Sequence, residues 1–530
     1  MTGERIHLFD TTLRDGAQTQ GVDFSVRDKR VIAEQLDRLG LDYVEGGWPG
    51  ANHTDNAFFN DPPTLARARL TAFGMTRRQG RSAANDPGLA ALLDCDVAAV
   101  CLVGKTWDFH AEVALGVTLD ENRRMIADSV AHLVGRGREV VFDAEHFFDG
   151  YKANPDYALA CVAAAYDAGA RWVALCDTNG GTLPHEIAEI VADVIKRIPG
   201  DRLGIHAHDD TGNAVANSLA AVRAGARMVH GTLNGLGERC GNANLVTIIP
   251  NLMLKMGFDT GIDNDGLRQL TPASRLLDEM LNRAPDHHAP YVGQAAFAHK
   301  GGLHVSAVEK DTRSYEHIAP ERVGNHRRIV VSDQSGRANV AARLRLGGFD
   351  IAADDPKLDA LLASVKEREF EGYTYDGAEA SFELLARRVF GEVPDFFQVD
   401  GYRVLVERRY NAVGKLVTLS EATVKVTIDG RHLMSVAEGN GPVDALNAAL
   451  RKDLGKYSRY LDDWRLSDYR VRILSPRQGT GAVTRVMIES ADADGGAWST
   501  VGVSHNIIDA SFSALLDALV YKLLRDGAAA

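Results

Sequence analysis

Eight short apolar segments alternate with amphipathic stretches over roughly the first 260 residues of the chain. In the stretch after the first segment, Val31, Ile32, Leu36 and Leu39 recur at the spacing of one helix face. Such alternation is typical of parallel strands joined by crossover helices. The predicted strands are residues 6–9, 43–46, 70–73, 97–102, 140–142, 172–175, 204–206 and 228–232. The alternation therefore predicts an α/β fold for this part of the chain.

The polar residues at the predicted strand ends distinguish between two α/β architectures. Eight units in about 250 residues are the count of a TIM (β/α)8 barrel, and a doubly wound open sheet is the main alternative. A barrel gathers its strand ends on one rim, whereas an open sheet spreads them too far apart to share a metal. The residues that follow the strands are Arg14, Asp15, Glu45, Glu145, Asp177, Thr178, His206, His208 and Asn234. We therefore predict a TIM barrel whose rim carries the functional site.

Two histidines stand two residues apart at the end of the seventh predicted strand, in GIHAHDD. Alternate side chains of a strand point the same way, about 6 to 7 Å apart, so His206 and His208 could bind one cation. The alternative is a strand end whose histidines merely face solvent. Near the start of the chain, LFDTTLRDGAQ places Arg14 and Asp15 after the first strand. They offer a positive charge for an oxyanion and a hard metal ligand, so Asp15 joins the histidines as a predicted ligand.

A glycine-rich segment, GLGERCGNANL, follows the eighth predicted strand. Its glycines permit tight turns, and Asn242 supplies a carbonyl oxygen that could complete the coordination of a metal. The alternative role for this asparagine is to cap the helix that begins near Leu245. A carboxylate with two imidazoles accommodates Mg²⁺, Mn²⁺, Co²⁺ or Zn²⁺, so the identity of the metal stays open.

Composition excludes several classes of protein. A chain of 530 residues exceeds one ordinary core and should form two or three domains. The formal charge of −13 argues against a general nucleic-acid binder, which needs a basic face. Five cysteines without a CxxC pair, and an amino terminus unlike an export signal, predict reduced thiols in the cytoplasm. Since no apolar run approaches the roughly 20 residues of a membrane helix, we expect no membrane association.

The alternation of strands and helices stops after about residue 275, and the last 135 residues become rich in Val, Thr and Ile at strand spacing. Residues 435–450 align with residues 500–515 at a constant offset, which indicates an internal duplication. Each half is predicted to form three strands and a helix, with hairpin signals at Asp429-Gly430 and Gly495-Gly496. We predict a catalytic barrel in residues 1–275, a mostly helical linker region in 276–395 and an α+β domain in 396–530.

Long segments of the chain resemble one known family. These segments are DTTLRDGAQ, HAHDDTGNAVANSLAAVRAGA, GLGERCGN and GGLHVSAV. They are similar to the Claisen-condensing, aldol-type metalloenzymes that include the isopropylmalate, homocitrate and citramalate synthases. Four further segments are most similar to the citramalate branch, namely GGWPGAN, AEHFFDGYKANPDYAL, CDTNGGTLP and YEHIAPERVGNHRRIVVSDQSGRANV. The resemblance covers nearly the whole chain, and it implies condensation of acetyl-CoA with pyruvate on a TIM barrel.

The resemblance also implies roles for residues on the rim. Asp15, His206, His208 and Asn242 would hold a divalent metal that chelates the 2-oxo acid. Arg14 would steady the carbonyl oxygen as a fixed charge, because a guanidinium does not deprotonate. Thr178 would bind the carboxylate of the acid, although its hydroxyl could equally serve the local turn.

Removal of a proton from the methyl group of acetyl-CoA needs a base, and the sequence leaves two candidates open, Glu145 and His304. Tyr315 would orient the substrate or assist the base. In the family, the residues that match His304 and Tyr315 reach into the barrel of the partner subunit. The resemblance therefore implies a homodimer whose active sites are completed across subunits.

The duplicated carboxy-terminal region resembles the allosteric domain of these synthases, in which an amino-acid end product binds between paired domains. For the citramalate branch that effector is isoleucine, and the turns at residues 439–442 and 504–507 are its expected site. The alternatives are a dimerisation module alone, an isopropylmalate or homocitrate synthase with the same site, a lyase on the same barrel, and a catalytically silent sensor. Cys240 matches a reactive cysteine of a related lyase, but a small buried thiol is the simpler interpretation.

Overall fold

Eight parallel strands close into a barrel in which each strand pairs with the next and β8 pairs with β1. The computed structural model describes residues 3–331, 336–352, 354–410, 412–452, 454–475, 481–493 and 495–530. The barrel strands are β1 (His7–Asp10), β2 (Tyr43–Gly47), β3 (Arg69–Met75), β4 (Ala99–Lys105), β5 (Glu139–Glu145), β6 (Trp172–Asp177), β7 (Leu203–Ala207) and β8 (Met228–Gly231). The predicted TIM barrel is confirmed, and the open sheet is wrong. The largest differences from the predicted strand ends are in β4 and β5, which each end three residues later, at Lys105 and Glu145.

Helices surround the barrel and continue beyond it. The helices are α1 (Val26–Leu39), α2 (His53–Asn60), α3 (Pro87–Asp94), α4 (Leu119–Gly135), α5 (Phe147–Ala153), α6 (Pro155–Asp167), α7 (Pro184–Val194), α8 (Ala214–Ala224), α9 (Leu245–Pro250), α10 (Asn264–Arg268), α11 (Leu270–Met280), α12 (Gly302–Lys310), α13 (Arg337–Leu346), α14 (Lys357–Glu371), α15 (Glu379–Phe390), α16 (Pro442–Lys452) and α17 (Ile507–Arg525). Helix α1 shows how local sequence sets the ends of these helices. Ser25 and Asp28 form a capping box at its start, and Gly40 ends it at a φ of 101°.

Large side chains fill the inside of the barrel beneath the rim. Phe9, Tyr43 and Trp172 are buried there, and the indole nitrogen of Trp172 donates a hydrogen bond to the Tyr43 hydroxyl at 3.2 Å. A separate apolar layer lies between the strands and the surrounding helices. The barrel is therefore a packed core rather than a pore, and it holds the strand ends rigidly in place.

The chain divides into two compact units. The first comprises Met1–Phe297 with Ile318–His326, and the second comprises Ala298–His317 with Arg327–Ala530. Helices α12 to α15 belong to the second unit, where the mostly helical linker region is predicted. Within the similarity motif that spans 315–340, residues 332–335 lie outside the described part of the chain. The predicted domain boundaries at 275 and 395 stay predictions.

The duplication predicted for the carboxy-terminal region is present in the fold. One three-stranded antiparallel sheet consists of β11 (Gln398–Tyr410), β12 (Leu416–Ile428) and β13 (Arg431–Gly439), and it precedes α16. The second consists of β14 (Arg465–Ile473), β15 (Thr484–Ala491) and β16 (Ala497–Ser504), and it precedes α17. Short strands β9 (Ala298–His299) and β10 (Arg328–Ile329) pair with each other. The two-residue turn between β12 and β13 is formed by Asp429 and Gly430, both at positive φ, as its sequence predicts.

Two further expectations concern the whole chain. Across the described residues, none of the helices has the length and apolar character needed to cross a bilayer. All five cysteines are free thiols, and four of them are buried. Cys240 is exposed, so its interpretation as a buried thiol is wrong.

Candidate metal centre and active site

Asp15, His206 and His208 converge at the carboxyl-terminal rim of the barrel. The Nε2 atom of His206 lies 3.2 Å from Asp15 Oδ2 and 3.3 Å from the Nε2 atom of His208. His208 Nε2 lies 3.8 Å from the same carboxylate oxygen. All three side chains are buried. Asp15 is about 190 positions from the two histidines in the sequence, yet the three residues form a group that could hold a metal ion.

Backbone geometry explains this convergence. The N–H groups of Arg14, Asp15 and Gly16 all donate to the carbonyl of Thr11, which folds the chain sharply over the end of β1. His206 lies in β7, and His208 follows one residue after the strand and forms a bridge with Asn242. Asn242 therefore belongs to the site through its backbone as well as its side chain. The residue that caps the helix at Leu245 is Asn244, not Asn242.

The side chain of Asn242 offers a test of whether these residues fit a metal. Its Nδ2 group donates to Asp15 Oδ2 at 2.8 Å and lies 3.2 Å from His206 Nε2. Its Oδ1 is buried and has no hydrogen-bond partner among the described residues. A half-turn of the amide would direct that oxygen toward Asp15 and His206 as a ligand. Gly237 leaves room for this amide, since a Cβ there would lie 1.8 Å from Oδ1.

The distances within the group also fit a divalent cation. Ligand atoms that are about 2.1 Å from one ion lie about 3.0 to 3.4 Å from one another. Two of the three distances between Asp15, His206 and His208 fall in this range, and the third is slightly longer. A carboxylate oxygen, two imidazole nitrogens and an amide oxygen form a donor set used for Mn²⁺, Mg²⁺, Co²⁺ and Zn²⁺.

The local charges keep the donors available for a cation. Burial raises the pKa of Asp15, but the charges of Arg14 and His206 outweigh burial and hold it well below its usual range. Burial lowers the pKa of His206, yet the hydrogen bond and charge of Asp15 raise it overall. Burial and the neighbouring His206 lower the pKa of His208 to about 4. The site therefore holds an ionised carboxylate beside a neutral His208 imidazole at neutral pH.

A second group of possible ligands lies behind His206. His206 Nδ1 is 3.4 Å from His230 Nδ1, which is 3.6 Å from Asp143 Oδ1. His230 stacks on Phe9 with ring centroids 4.1 Å apart, and burial lowers its pKa well below the usual value. Asp15, His206 and His208 all line an open cavity. Asp143 lines the same cavity, but His230 does not, so the group of Asp15, His206 and His208 is the one whose three members all face it.

Arg14 is held rigidly beside Asp15. Its Nε donates to Glu45 Oε2 at 2.7 Å, and its guanidinium lies 4.0 Å from the centre of the Phe73 ring. An Nη atom lies 3.7 Å from Asp15 Oδ1. The hydroxyl of Thr11 also donates to Glu45, which is fully buried. Glu45 thus fixes the direction of Arg14, so the cation faces the cavity.

The cavity next to the predicted ligands has a volume of about 280 Å³. Lys105, Glu145 and Thr178 line it together with Arg14, Asp15, His206 and His208. Lys105 forms an ion pair with Glu145. Thr178 Oγ1 accepts a hydrogen bond from the His146 N–H at 2.8 Å. Since that bond uses a lone pair of the hydroxyl oxygen, the hydroxyl hydrogen can still be donated to a substrate. The barrel therefore brings together seven of the nine predicted site residues.

His304 and Tyr315, the other two predicted site residues, lie in the second compact unit. Their rings stack with centroids 4.1 Å apart and an angle of 28° between the planes. Both side chains are exposed, with Tyr315 45 % accessible. They form a pair that another surface could cover, and their position in a partner's barrel stays a prediction.

Comparison with known proteins identifies the family. The HMGL-like family model matches residues 5–273, which is the barrel. The chain belongs to the HMGL-like family. Two further models match the rest of the chain: a homocitrate synthase post-HMGL domain-like model at residues 291–371 and the LeuA allosteric (dimerisation) domain at residues 376–523.

Within the HMGL-like family, the similar proteins match over nearly their full length. The (R)-citramalate synthase of Aquifex aeolicus is 50% identical over 99% of this chain and 98% of its own. The (R)-citramalate synthase of Synechocystis is 50% identical over 97% of this chain and 96% of its own. A probable 2-isopropylmalate synthase of Methanopyrus kandleri is 34% identical over 97% of each chain. The resemblance found in the sequence motifs is thus confirmed at the level of the family.

Four residues at this site are not among the site residues predicted from the sequence: Glu45, Lys105, Asp143 and His230. The sequence indicates Glu45 only as a polar residue at a strand end, and Lys105 is not among the predicted site residues. The signal for Lys105 was its alignment with Glu145 in the register of β4 and β5, which required the true strand ends. Asp143 and His230 had no local signal, because their role arises from contact with the far side of His206.

Proposed function

We propose that this chain is an (R)-citramalate synthase, which condenses acetyl-CoA with pyruvate and hydrolyses the thioester to give (R)-citramalate and CoA. The observation that carries the proposal is the buried group of Asp15, His206 and His208 at the floor of a cavity that also presents Arg14, Thr178 and Glu145. Five (R)-citramalate synthases that are 44–50% identical over nearly the whole chain support the choice of reaction. The product would feed isoleucine biosynthesis.

Asp15, His206, His208 and Asn242 would hold a divalent ion, Mn²⁺, Mg²⁺, Co²⁺ or Zn²⁺. When bound, such an ion acts as a Lewis acid on a carbonyl, an effect worth several kcal/mol as charge develops on the oxygen. Arg14 adds a permanent positive charge beside the same position, because Glu45 and Phe73 hold its guanidinium against the cavity. These residues would stabilise the oxygen of pyruvate that becomes an alkoxide.

Thr178 would bind the carboxylate of pyruvate. Its hydroxyl oxygen accepts the His146 N–H, so its hydrogen is directed elsewhere and can meet an anionic oxygen. His146 adopts a left-handed backbone conformation with φ of 58°, and this conformation aims its N–H at Thr178. The backbone next to Glu145 therefore orients the threonine that would hold the acceptor.

Glu145 is the base that the cavity supports. It lines the same cavity as the metal-ligand candidates, and its side chain is 23 % exposed, so a small substrate can reach it. A positioned carboxylate of this kind contributes about 10² to 10⁴-fold to proton transfer. His304 and Tyr315, which would come from a partner subunit, would complete the acetyl-CoA side of the site. His304 remains the alternative base.

The cavity walls suit a small acceptor. Phe73, Met75 and Val103 form its apolar side, and Trp48 closes the edge against Phe73 with ring centroids 5.3 Å apart. Larger 2-oxo acids must place extra methylenes against this wall. Each methylene changes discrimination by only about 1 to 3 kcal/mol, so kinetics rather than cavity size must decide the substrate.

The carboxy-terminal region would regulate the enzyme. The match to the LeuA allosteric (dimerisation) domain supports a homodimer, with isoleucine as feedback effector. The turns at residues 439–442 and 504–507 occupy equivalent places, each between the last strand of a half and its helix. We propose that these turns form the effector site. We further propose that the protein acts in the cytoplasm and binds neither nucleic acid nor membranes.

Steady-state kinetics with three acceptors test the proposed reaction. Release of free thiol from acetyl-CoA is measured with pyruvate, 2-oxoisovalerate and 2-oxoglutarate under the same metal concentration. We expect thiol release that depends on the added acid, with kcat/KM highest for pyruvate. A preference for 2-oxoisovalerate would indicate a 2-isopropylmalate synthase, and a preference for 2-oxoglutarate would indicate a homocitrate synthase. Cleavage of citramaloyl-CoA without condensation would indicate a lyase.

A further inference from the structure

Lys105 lies at the rim of the barrel, beside the proposed base. It is the last residue of β4 and is the register partner of Glu145, the last residue of β5. Val103 lies two residues earlier in β4 and lines the same cavity, so Lys105 belongs to the inward face of the strand. Only 16 % of the Lys105 side chain is exposed. The ammonium therefore faces the substrate cavity instead of solvent.

The backbone at both strand ends is fixed. The side-chain amide of Asn122 donates to the Lys105 carbonyl at 2.8 Å, and the Thr106 hydroxyl donates to the Glu145 carbonyl at 2.8 Å. Side chains that start from a rigid strand end are positioned more accurately than those on loops. The placement of the Lys105–Glu145 pair is thus a property of the barrel itself.

Three cations line the cavity, and their partners differ. Arg14 pairs with Glu45 and Asp15, neither of which takes part in the proposed proton transfer. Arg239 is held by both oxygens of Asp210 at 2.7 and 2.8 Å. Within the described part of the chain, Lys105 has Glu145 as its ion-pair partner. Of the three cations, Lys105 is therefore the one whose counter-ion would lose its charge during turnover.

We propose that Lys105 is a further catalytic residue, whose ammonium binds the thioester carbonyl oxygen of acetyl-CoA and stabilises the enolate that forms as Glu145 takes the methyl proton. This inference rests on the proposed function, because it assigns a role within that reaction. It explains why a lysine and the base share one wall of the cavity.

The step balances in atoms and charge. Glu145 takes a proton from the methyl carbon of acetyl-CoA, and the electron pair of the broken C–H bond becomes the carbon–carbon double bond of the enolate. The π pair of the thioester carbonyl moves onto its oxygen. Negative charge thus leaves the carboxylate and appears on the enolate oxygen. Lys105 lies beside both groups and donates a hydrogen bond to the enolate oxygen. A fixed donor at the place where charge develops lowers the barrier without reorganisation of solvent.

Substitution of Lys105 tests this role in the full-length protein loaded with Mn²⁺. Lys105→Met removes the charge and keeps the length of the side chain, and Lys105→Arg keeps the charge. Lys152→Met is the matched control, since Lys152 pairs with Glu186 at 2.9 Å near the same rim but does not line the cavity. Each variant is assayed with acetyl-CoA and with acetyl-CoA deuterated in its methyl group.

For Lys105→Met we expect kcat/KM for acetyl-CoA to fall about 10² to 10³-fold, the loss typical of one missing oxyanion donor. The deuterium isotope effect should rise, because proton removal becomes slower than the other steps. Mn²⁺ affinity and the KM for pyruvate should stay within about twofold, Lys105→Arg should recover part of the loss, and Lys152→Met should match the wild type.

An unchanged isotope effect, or a fall in Mn²⁺ affinity that parallels the fall in activity, would assign Lys105 a structural role and overturn the proposal. A loss smaller than about tenfold would do the same. Should Lys105→Met lack cooperative thermal unfolding, Lys105→Gln, which also removes the charge, takes its place, and an isotope effect equal to that of the wild type overturns the proposal. The assay uses whichever 2-oxo acid the wild type consumes, so an incorrect acceptor would refute the proposed function without deciding the role of Lys105.

Discussion

The barrel rim and the duplicated carboxy-terminal region bury different kinds of residues. At the rim and directly beneath it, ionisable side chains are buried in close contact, and they are Asp10, Asp15, Glu45, Asp143, His206, His208 and His230. The duplicated region buries mainly hydroxyl groups among its polar side chains, with Lys522 and Asp492 as an ion-paired exception. Burial of charges costs several kcal/mol unless they are paired, so a protein retains them where chemistry needs them. The comparison supports the proposal that catalysis takes place in the barrel, while the duplicated region serves packing and recognition.

The rim also separates neighbouring groups by their pKa values. Asp15 drives the pKa of His206 up, whereas burial lowers that of His208 to about 4. In the duplicated region, the backbone of Gly496 and the charge of Arg525 lower the pKa of Asp492 against the effect of burial, and Asp526 and Asp463 raise the pKa of Lys522 against it, so both groups keep their ordinary charge. Perturbations in opposite directions within one cavity are typical of functional sites.

Glu145→Gln should produce the largest change and would sharpen the comparison. The amide cannot accept the methyl proton, so kcat should fall about 10² to 10⁴-fold while Mn²⁺ affinity stays the same. Steady-state kinetics and metal titration provide the measurement. The control is Glu186→Gln, at the start of α7 and outside the cavity. Activity of Glu145→Gln within tenfold of the wild type would exclude Glu145 as base and leave His304.

Leu519→Ala tests the other side of the comparison. Leu519 in α17 is fully buried, so its truncation should lower the free energy of unfolding of its region by about 2 to 5 kcal/mol. Because the chemistry lies in the barrel, kcat at 25 °C should not change. Differential scanning calorimetry and kinetics on the same sample measure both effects. Leu175→Ala in β6, also fully buried, is the matched variant and should lower both stability and kcat. Equal losses of kcat in the two variants would contradict the division of roles.

Asp10 should make the stability of the barrel depend on pH. Burial raises the pKa of Asp10 to about 7 despite its hydrogen bonds with Thr12. Since its folded pKa lies above the unfolded value of 3.8, the folded state binds more protons between these values, and stability falls as pH rises from about 4 to about 7. Between pH 5 and pH 8 this amounts to roughly 2 to 3 kcal/mol.

Urea unfolding of Asp10→Asn and the wild type at the two pH values measures this contribution. The variant should lose the corresponding part of the pH dependence, because its amide does not titrate. Asp265→Asn, at an aspartate whose side chain is 88 % exposed, serves as control and should retain it. Identical pH dependence in Asp10→Asn and the wild type would show that Asp10 does not titrate in this range.

Thr178→Val should have the smallest effect of the four. Loss of one hydrogen bond to a charged carboxylate costs about 1.5 to 3 kcal/mol, so the KM for pyruvate should rise roughly tenfold to a hundredfold. The KM for acetyl-CoA should remain within about twofold. Initial-rate measurements over both substrates separate the two effects. A rise in the KM for acetyl-CoA alone would place Thr178 on the thioester side of the cavity.

Much of the fold was predictable because each barrel unit repeats a local pattern. The alternation of apolar runs and helix faces located all eight strands, and the constant offset between residues 435–450 and 500–515 revealed the duplication. Ends were harder, since the last residues of β4 and β5 are polar and do not continue the apolar runs. Because the predicted ends of β4 and β5 came too early, the sequence did not reveal that Lys105 aligns with Glu145.

The candidate site was predictable only where a motif is local. His206 and His208 are two residues apart on one strand face, so the local sequence alone predicts that they lie together. Asp143 and His230 reach His206 from β5 and β8, and only the closure of the barrel brings them together. The sequence indicates Asn242 as a ligand but leaves helix capping as its alternative, because the turn before Leu245 decides which asparagine caps the helix; the structure gives that role to Asn244.

The central claim is that Asp15, His206, His208 and Asn242 hold the catalytic ion. A crystal structure of the protein soaked with Mn²⁺ and pyruvate, with anomalous data for manganese, tests it most directly. The account predicts one strong anomalous peak about 2.0 to 2.3 Å from Asp15 and from both Nε2 atoms, with pyruvate on its open side. An anomalous peak between Asp143, His206 and His230, or one out of reach of Asp15, would contradict it.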